Sequence, residues 1–157
     1  MEIMAGDLDD PRVVALLTHH LDSARAATAP GSAHALDLTG LRSPDIDFRA
    51  IWDGDRLVSV GALMRIAPDH GEIKSMHTAK AFRRTGAGGA MLRALIELAR
   101  EKGFTRVSLE TGSWEFFRPA IALYAMHGFT ECPPFGAYGP DPNSVFMTLE
   151  IEPAPKA

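Results

Sequence analysis

The segment Arg83-Arg84-Thr85-Gly86-Ala87-Gly88-Gly89-Ala90 concentrates the residue types that bind phosphate. It follows an extended run after a short basic link and opens an amphipathic helix. Unpaired backbone N–H groups at a helix N-terminus, with the positive end of the helix dipole, attract anions. Glycines let a pyrophosphate approach the backbone closely. Lys74, Lys80, Arg83 and Arg84 place four cations within eleven residues of an otherwise acidic chain. A P-loop needs Gly-x-x-x-x-Gly-Lys-Ser/Thr, and no Gly-Lys-Ser/Thr occurs. A dinucleotide fold needs Gly-x-Gly-x-x-Gly after a buried strand. Gly86 and Gly88 fit and Glu110 lies at a plausible distance for a ribose contact, but Met91 stands where the third glycine belongs. A glycine-rich helix start that binds nothing is the structural alternative, and the four cations argue against it.

The elements that must position this turn follow from pattern. Asp10-Pro11 reads as an N-cap followed by Pro at the first helical position. Val13, Val14, Leu17, Leu21 and Ala24 recur at helical spacing, predicting an amphipathic helix over about residues 11–27. Residues 29–45, rich in Ala, Gly, Pro and Ser, read as a loop with one short helical piece. Phe48–Trp52 and Leu57–Ile66 flank Asp53-Gly54-Asp55 as a hairpin. A turn at Pro68-Asp69-His70-Gly71 leads to a third extended run, Glu72–Thr78, completing an antiparallel meander. Ala87, Ala90, Met91, Ala94, Leu95 and Leu98 then form the apolar stripe of a helix that stops at Gly103. Thr105–Leu109 is a strand, Glu115–His127 a helix ended by Gly128, and Phe129–Cys132 a short strand. A Pro/Gly-rich loop, Pro133–Asn143, precedes a last strand, Val145–Ile151. This order predicts an α/β fold: a mixed sheet with helices on its faces.

Composition narrows the class. The 157 residues are 46% apolar and 23% charged, which suits one globular domain that needs no disulfide or metal staple. Sixteen Lys and Arg against twenty Asp and Glu leave a formal charge of −4, which argues against nucleic acid as a partner. The single cysteine, Cys132, allows no internal disulfide and no thiolate metal cluster, in keeping with a cytoplasmic setting. Glu2, Asp7, Asp9 and Asp10 are the wrong start for a secretory signal, and no run approaches the ~18 apolar residues of a membrane span.

With these residues in place the sequence resembles the GNAT acetyltransferase superfamily. That family's acetyl-CoA motif, Arg/Gln-x-x-Gly-x-Gly/Ala at the start of the helix after the fourth strand, is filled in register by Arg83, Gly86 and Gly88. Its second motif, Leu-Tyr-x-x-x-Gly-Phe, is matched by Leu123-Tyr124-Ala125-Met126-His127-Gly128-Phe129. The resemblance covers about residues 47–151 and implies a mostly antiparallel sheet of six to seven strands, splayed between the fourth and fifth. It divides a single acetyltransferase domain, 1–157, into an N-terminal strand, helix and acceptor-side loop (1–46), an acetyl-CoA-binding core (47–151) and a tail (152–157). Many relatives carry Asn seven residues before the tyrosine. Here Phe117 stands there, so a polar contact to pantetheine or to water is missing or supplied differently.

The resemblance also implies roles. Pantetheine would pair with the backbone of Met76 and Thr78, the Met76 N–H polarising the thioester carbonyl. The whole acetyl-CoA site would comprise Met76, His77, Thr78, Arg83, Arg84, Thr85, Gly86, Ala87, Gly88, Gly89 and Phe117. Tyr124 would be the general acid, since a phenol with pKa near ~10 can protonate a departing thiolate. Its alternative is a core tyrosine, at helical spacing from Phe117 and Ala120. Glu72 is the base candidate, eleven residues before Arg83 as in a histone-modifying branch of the family; alternatively it is a strand-end carboxylate paired with Lys74 or Arg65. Strand alternation predicts Glu72, Lys74, Met76 and Thr78 on one face and His77 on the other, which ranks His77 lower as a base. Glu110 is a third candidate.

His19-His20 reads as a solvated pair on the first helix rather than a metal site, and no metal is expected. Trp114, Phe116, Phe117, Phe135 and Tyr138 could line an acceptor pocket, although aromatics in such numbers are usually core. The expectation is therefore an acetyl-CoA-dependent N-acetyltransferase acting on a small-molecule amine, with no nucleic-acid or membrane partner and with a homodimer open. An acyl-CoA sensor without catalysis, or an acetyltransferase for protein lysines or N-termini, are the alternatives.

Overall fold

Asp10 starts helix α1 (Pro11–Ala26) in the computed structural model, which describes residues 1–26, 38–113 and 115–155. The Arg12 N–H donates to Asp10 Oδ1 at 2.9 Å, and Pro11 needs no donor at the first helical position. Strand β1 (Glu2–Ala5) precedes α1. The loop expected over residues 29–45 lies partly outside the described residues; its described part holds the short helix α2 (Leu38–Leu41). Strands β2 (Ile46–Asp53) and β3 (Arg56–Ala67) form the expected hairpin around Gly54, whose φ is +61°. Then follow β4 (His70–Thr78), α3 (Ala87–Glu101), β5 (Arg106–Gly112), α4 (Arg118–Met126), β6 (Thr130–Glu131) and β7 (Ser144–Glu150). The helix expected from Glu115 begins as a 3-10 turn at Glu115–Phe117 and becomes α-helical only at Arg118.

The seven strands among the described residues lie in the order β1-β2-β3-β4-β5-β7-β6. Among the described residues only β4 and β5 run parallel; every other neighbouring pair is antiparallel. Each face of the sheet carries its own core. On one, α1 buries Val13 and Leu17 with Phe48, Ala50, Val60 and Ala62. On the other, Met91, Leu92 and Leu95 of α3 and Tyr124 of α4 pack with Val58, Leu63, Val107 and Leu109. A Cβ at Gly61 would lie 2.9 Å from Leu95 and Met91 side-chain atoms, so a bare backbone lets α3 settle closely on β3. Full burial of each such leucine stabilises the fold by ~1.5–3 kcal/mol.

Strand β4 departs from simple alternation. Val60 faces His77 and Ala62 faces Lys74, so Gly61 alone on β3 opposes both Ser75 and Met76 on β4. The extra residue is absorbed at Ser75, whose φ is +57°. Beyond this bulge the faces exchange. Glu72, Lys74 and His77 look toward α1, whereas Met76 packs into the α3 core and Thr78 lies beside Gly88 of α3. The shared face expected for Glu72, Lys74, Met76 and Thr78 is thus corrected to Glu72 and Lys74 with His77.

Candidate active site

β4 and β5 are paired only from His70 to Ile73 and from Arg106 to Leu109. β4 then runs on to Thr78 along β3, and β5 to Gly112 along β7, with no pairing between the two, so the sheet parts where the resemblance places a split. The parting opens a cleft of about 610 Å³, within the range of small-molecule sites. One wall is β4 from Glu72 to Thr78, and the other is β5 from Leu109 to Gly112. Arg83, Arg84 and the start of α3 close one end, and Phe116, Phe117, Leu123 and Tyr124 overhang it.

The glycine turn is built by backbone geometry. Buried Phe82 anchors the 3-10 turn Lys80–Phe82, with the Arg56 guanidinium stacked 4.7 Å from its ring centroid. Arg84 has φ +61°, and Gly86, the N-cap of α3, has φ +87°. Among the described residues no side chain caps α3, so its first N–H groups point toward the cleft end. Gly88 lies between α4 and β4: a Cβ there would sit 3.2 Å from Leu123 and 3.7 Å from Thr78 Oγ1. Every residue expected to bind acetyl-CoA lines the cleft except Thr85, whose hydroxyl donates to the Phe82 carbonyl and secures the turn.

Phe117, which stands in place of the usual Asn, has a structural partner. A Cβ at Gly112 would lie 2.2 Å from its ring, so the ring rests directly on the end of β5. Phe116 meets it edge-on at 5.0 Å. This position supplies an apolar cover. Trp114 lies outside the described residues, and Phe135 and Tyr138 cluster with Phe146 rather than lining the cleft.

Three sets of ionisable groups face the cleft. Tyr124 is 9% exposed, and burial together with the negative charge of Glu110 pushes its phenol up to about 12. Glu72 is 3% exposed and is paired with Lys74 at 3.1 Å, as the pairing alternative foresaw. Tyr138 also reaches it, donating to Glu72 Oε2 at 2.6 Å. Burial and the Glu72 charge hold the Tyr138 phenol far above its ordinary range. His77 meets His20 of α1, Nδ1 to Nδ1 at 3.1 Å, with His19 edge-on at 5.4 Å. Burial drives both His20 and His77 down to about 4, helped for His77 by the neighbouring histidines and Arg83.

The His20 contact corrects the solvated-pair expectation: His19 is exposed, whereas His20 turns inward. No sequence signal announced it, because it depends on the bulge that turns His77 toward α1. Ser75 Oγ and His77 Nε2 are buried in the cleft wall without a hydrogen-bond partner among the described residues. Polar atoms left so suit a wall that a polar ligand covers. With exposed arginines and free helix N–H groups at one end, the residues present fit a phosphate-bearing thioester such as acetyl-CoA. Among the described residues no group of three His, Cys, Asp or Glu is placed to hold a metal ion, and no helix is long and apolar enough to cross a membrane.

A split β4–β5 pair beside a helix start rich in glycine defines an acyltransferase of the GNAT type, and comparison with known proteins agrees. The model of the acetyltransferase (GNAT) family matches residues 15–129, and the chain belongs to that family. It is 46% identical over 151 residues to the uncharacterized N-acetyltransferase YsnE of Bacillus subtilis (strain 168), covering 96% of this chain and all of that one. It is 39% identical over 149 residues to the uncharacterized N-acetyltransferase YedL of Escherichia coli (strain K12), covering 95% and 94%. A Bacillus subtilis acetyltransferase solved in complex with CoA superposes with a TM-score of 0.72 at 18% identity, covering 96% and 98%.

Proposed function

We propose that this enzyme transfers the acetyl group of acetyl-CoA to a primary amine of a small molecule, by direct attack while both substrates are bound. The observation that carries the reading is the parting of β4 and β5 beside the glycine turn, with Glu72 and Tyr124 reaching one cleft from β4 and α4. Acetyl-CoA supplies an activated thioester. Arg83, Arg84 and the N–H groups from Gly86 to Gly89 hold its pyrophosphate. The freed backbone of Met76, His77 and Thr78 aligns the pantetheine arm, with the Met76 N–H at the thioester carbonyl. Phe117 covers that arm with an apolar face.

Glu72 accepts the proton of the incoming ammonium, directly or through water, since an amine with pKa near ~10.4 arrives mostly charged at neutral pH. As the new C–N bond forms and the C–S bond breaks, Tyr124 donates its proton to the departing sulfur. A phenol at about 12 is fully protonated at neutral pH. It lies above an ordinary thiol at ~8.5, but the burial that raises the phenol also raises a thiol beside it, which narrows the gap. The reaction runs in the cytoplasm, in keeping with a lone cysteine, Cys132.

The test is thiol release from acetyl-CoA over a panel of small primary amines, with peptides bearing a free lysine or N-terminal amine as a parallel arm. Turnover of a small amine and of no peptide supports the reading. Turnover of peptides alone replaces it with protein acetylation. Release with no acceptor, while acetyl-CoA still raises the melting temperature, reduces the protein to a binding module.

A further inference from the structure

The carboxylate of Glu72 accepts two hydrogen bonds among the described residues, and both fall on the same oxygen. Oε2 receives the Tyr138 hydroxyl at 2.6 Å and Lys74 Nζ at 3.1 Å. Lys74 Nζ also donates to Tyr138 Oη at 2.9 Å, which closes a triangle of three polar tips. Tyr138 stands 66 residues from Glu72 in the chain, on the Pro/Gly-rich loop between β6 and β7. Its ring is braced by Phe135 at 5.2 Å and Phe146 at 5.4 Å. The donors are therefore delivered from two directions, one along β4 and one from a loop held down by aromatic packing.

This geometry divides the work of the carboxylate. An ammonium is a rotatable point charge on a flexible stem, so Lys74 alone fixes the orientation of Glu72 poorly. A braced phenol has one O–H in one direction. With Oε2 engaged twice, Oε1 is the oxygen left to meet a proton in the cleft.

We propose that Tyr138 is a positioning residue for acetyl transfer, fixing Oε2 of Glu72 together with Lys74 so that Oε1 is presented to the acceptor amine. The proposal rests on the reading of Glu72 as the base. Besides Lys74 and Tyr138, the titratable neighbours of Glu72 are His70 on β4 and Glu110 across the cleft, and both are unchanged in the variants that test it.

Tyr138→Phe keeps the braced ring and deletes only the hydroxyl. The lost hydroxyl leaves Oε2 held, among the described residues, by Lys74 alone. The readout that requires no acceptor is the ¹³C resonance of the Glu72 carboxyl in the full chain, which should move in the variant. With the best amine of the panel, kcat should fall ~10-fold, the loss expected for one hydrogen bond to a charged group, and KM should stay within about twofold. Adding Tyr138→Phe to Glu72→Gln should cost nothing further. An unmoved resonance, or a loss that persists in the Glu72→Gln background, makes Tyr138 a packing residue and overturns the proposal. Near wild-type turnover by Glu72→Gln from pH 6 to 9 instead removes the base reading itself, and it does so whatever the resonance shows.

Discussion

Lowering the pH from 7.5 to 5.0 should destabilise this protein through His20 and His77. Both are half-buried, and burial draws both down from 6.5 to about 4. The unfolded chain therefore binds protons that the folded chain refuses between pH 6.5 and about 4. Stability from this source is complete above pH 6.5 and is lost as pH falls through that window. At 1.36 kcal/mol per unit, pH 5.0 removes about 2 kcal/mol for each histidine, and about 2–4 kcal/mol for a pair whose titrations are coupled. For a chain of this length that is a fall of roughly 5–15 °C in melting temperature. Protonation also turns both Nδ1 atoms into donors, so their 3.1 Å contact becomes a repulsion. The assay compares thermal melts of the wild type and of a His20→Phe/His77→Phe double variant at the two pH values. His70 and the carboxylates titrate in both proteins and cancel in the difference. The variant should keep most of its neutral-pH stability, because His77 Nε2 has no partner to lose among the described residues. It should lose roughly 5–15 °C less than the wild type on acidification. An identical loss in the two proteins would refute the argument that burial keeps this pair neutral.

Three further outcomes follow from the cleft. Acetyl-CoA should raise the melting temperature by linkage, and Gly88→Asp should abolish that shift: its Cβ falls 3.2 Å from Leu123, and its charge opposes a pyrophosphate. A folded Gly88→Asp protein that still shifts would move the pyrophosphate elsewhere. Glu72→Gln should lower turnover by ~10²–10⁴-fold, most strongly at low pH where the amine is charged, as read by thiol release from pH 6 to 9. Tyr124→Phe preserves the ring that packs 6.0 Å from Phe129, so stability and acetyl-CoA affinity should barely change while kcat falls; normal turnover would leave Tyr124 as core.

What could be read from the sequence was local. The α3 stripe, the turns at Gly54 and Gly103 and the Leu123–Phe129 motif each depend on residues a few positions apart, and each formed as expected. The face assignment of β4 failed because the bulge at Ser75 uses neither Gly nor Pro, the residues that usually mark such a site. One serine at φ +57° moved His77 to the face of Glu72 and against His20. Tyr138 was legible as an aromatic in a loop, but its bond to Glu72 spans 66 residues and two strands, beyond any periodic signal. The Phe117 ring against Gly112 is short in sequence yet depends on where the 3-10 turn places it.

The short parallel ladder between His70–Ile73 and Arg106–Leu109 also has a mechanical meaning. It is the hinge of two leaves, β1 to β4 on one side and β5 to β7 on the other, with α3 packed on β3 and β4. A molecule that pairs with β4 and packs under α4 acts as a pin through the open end of that hinge. The stability of the folded chain then rises with the concentration of a ligand held there. Hydrogen exchange at the amides of Ser75 to Thr78 should therefore slow when acetyl-CoA is added.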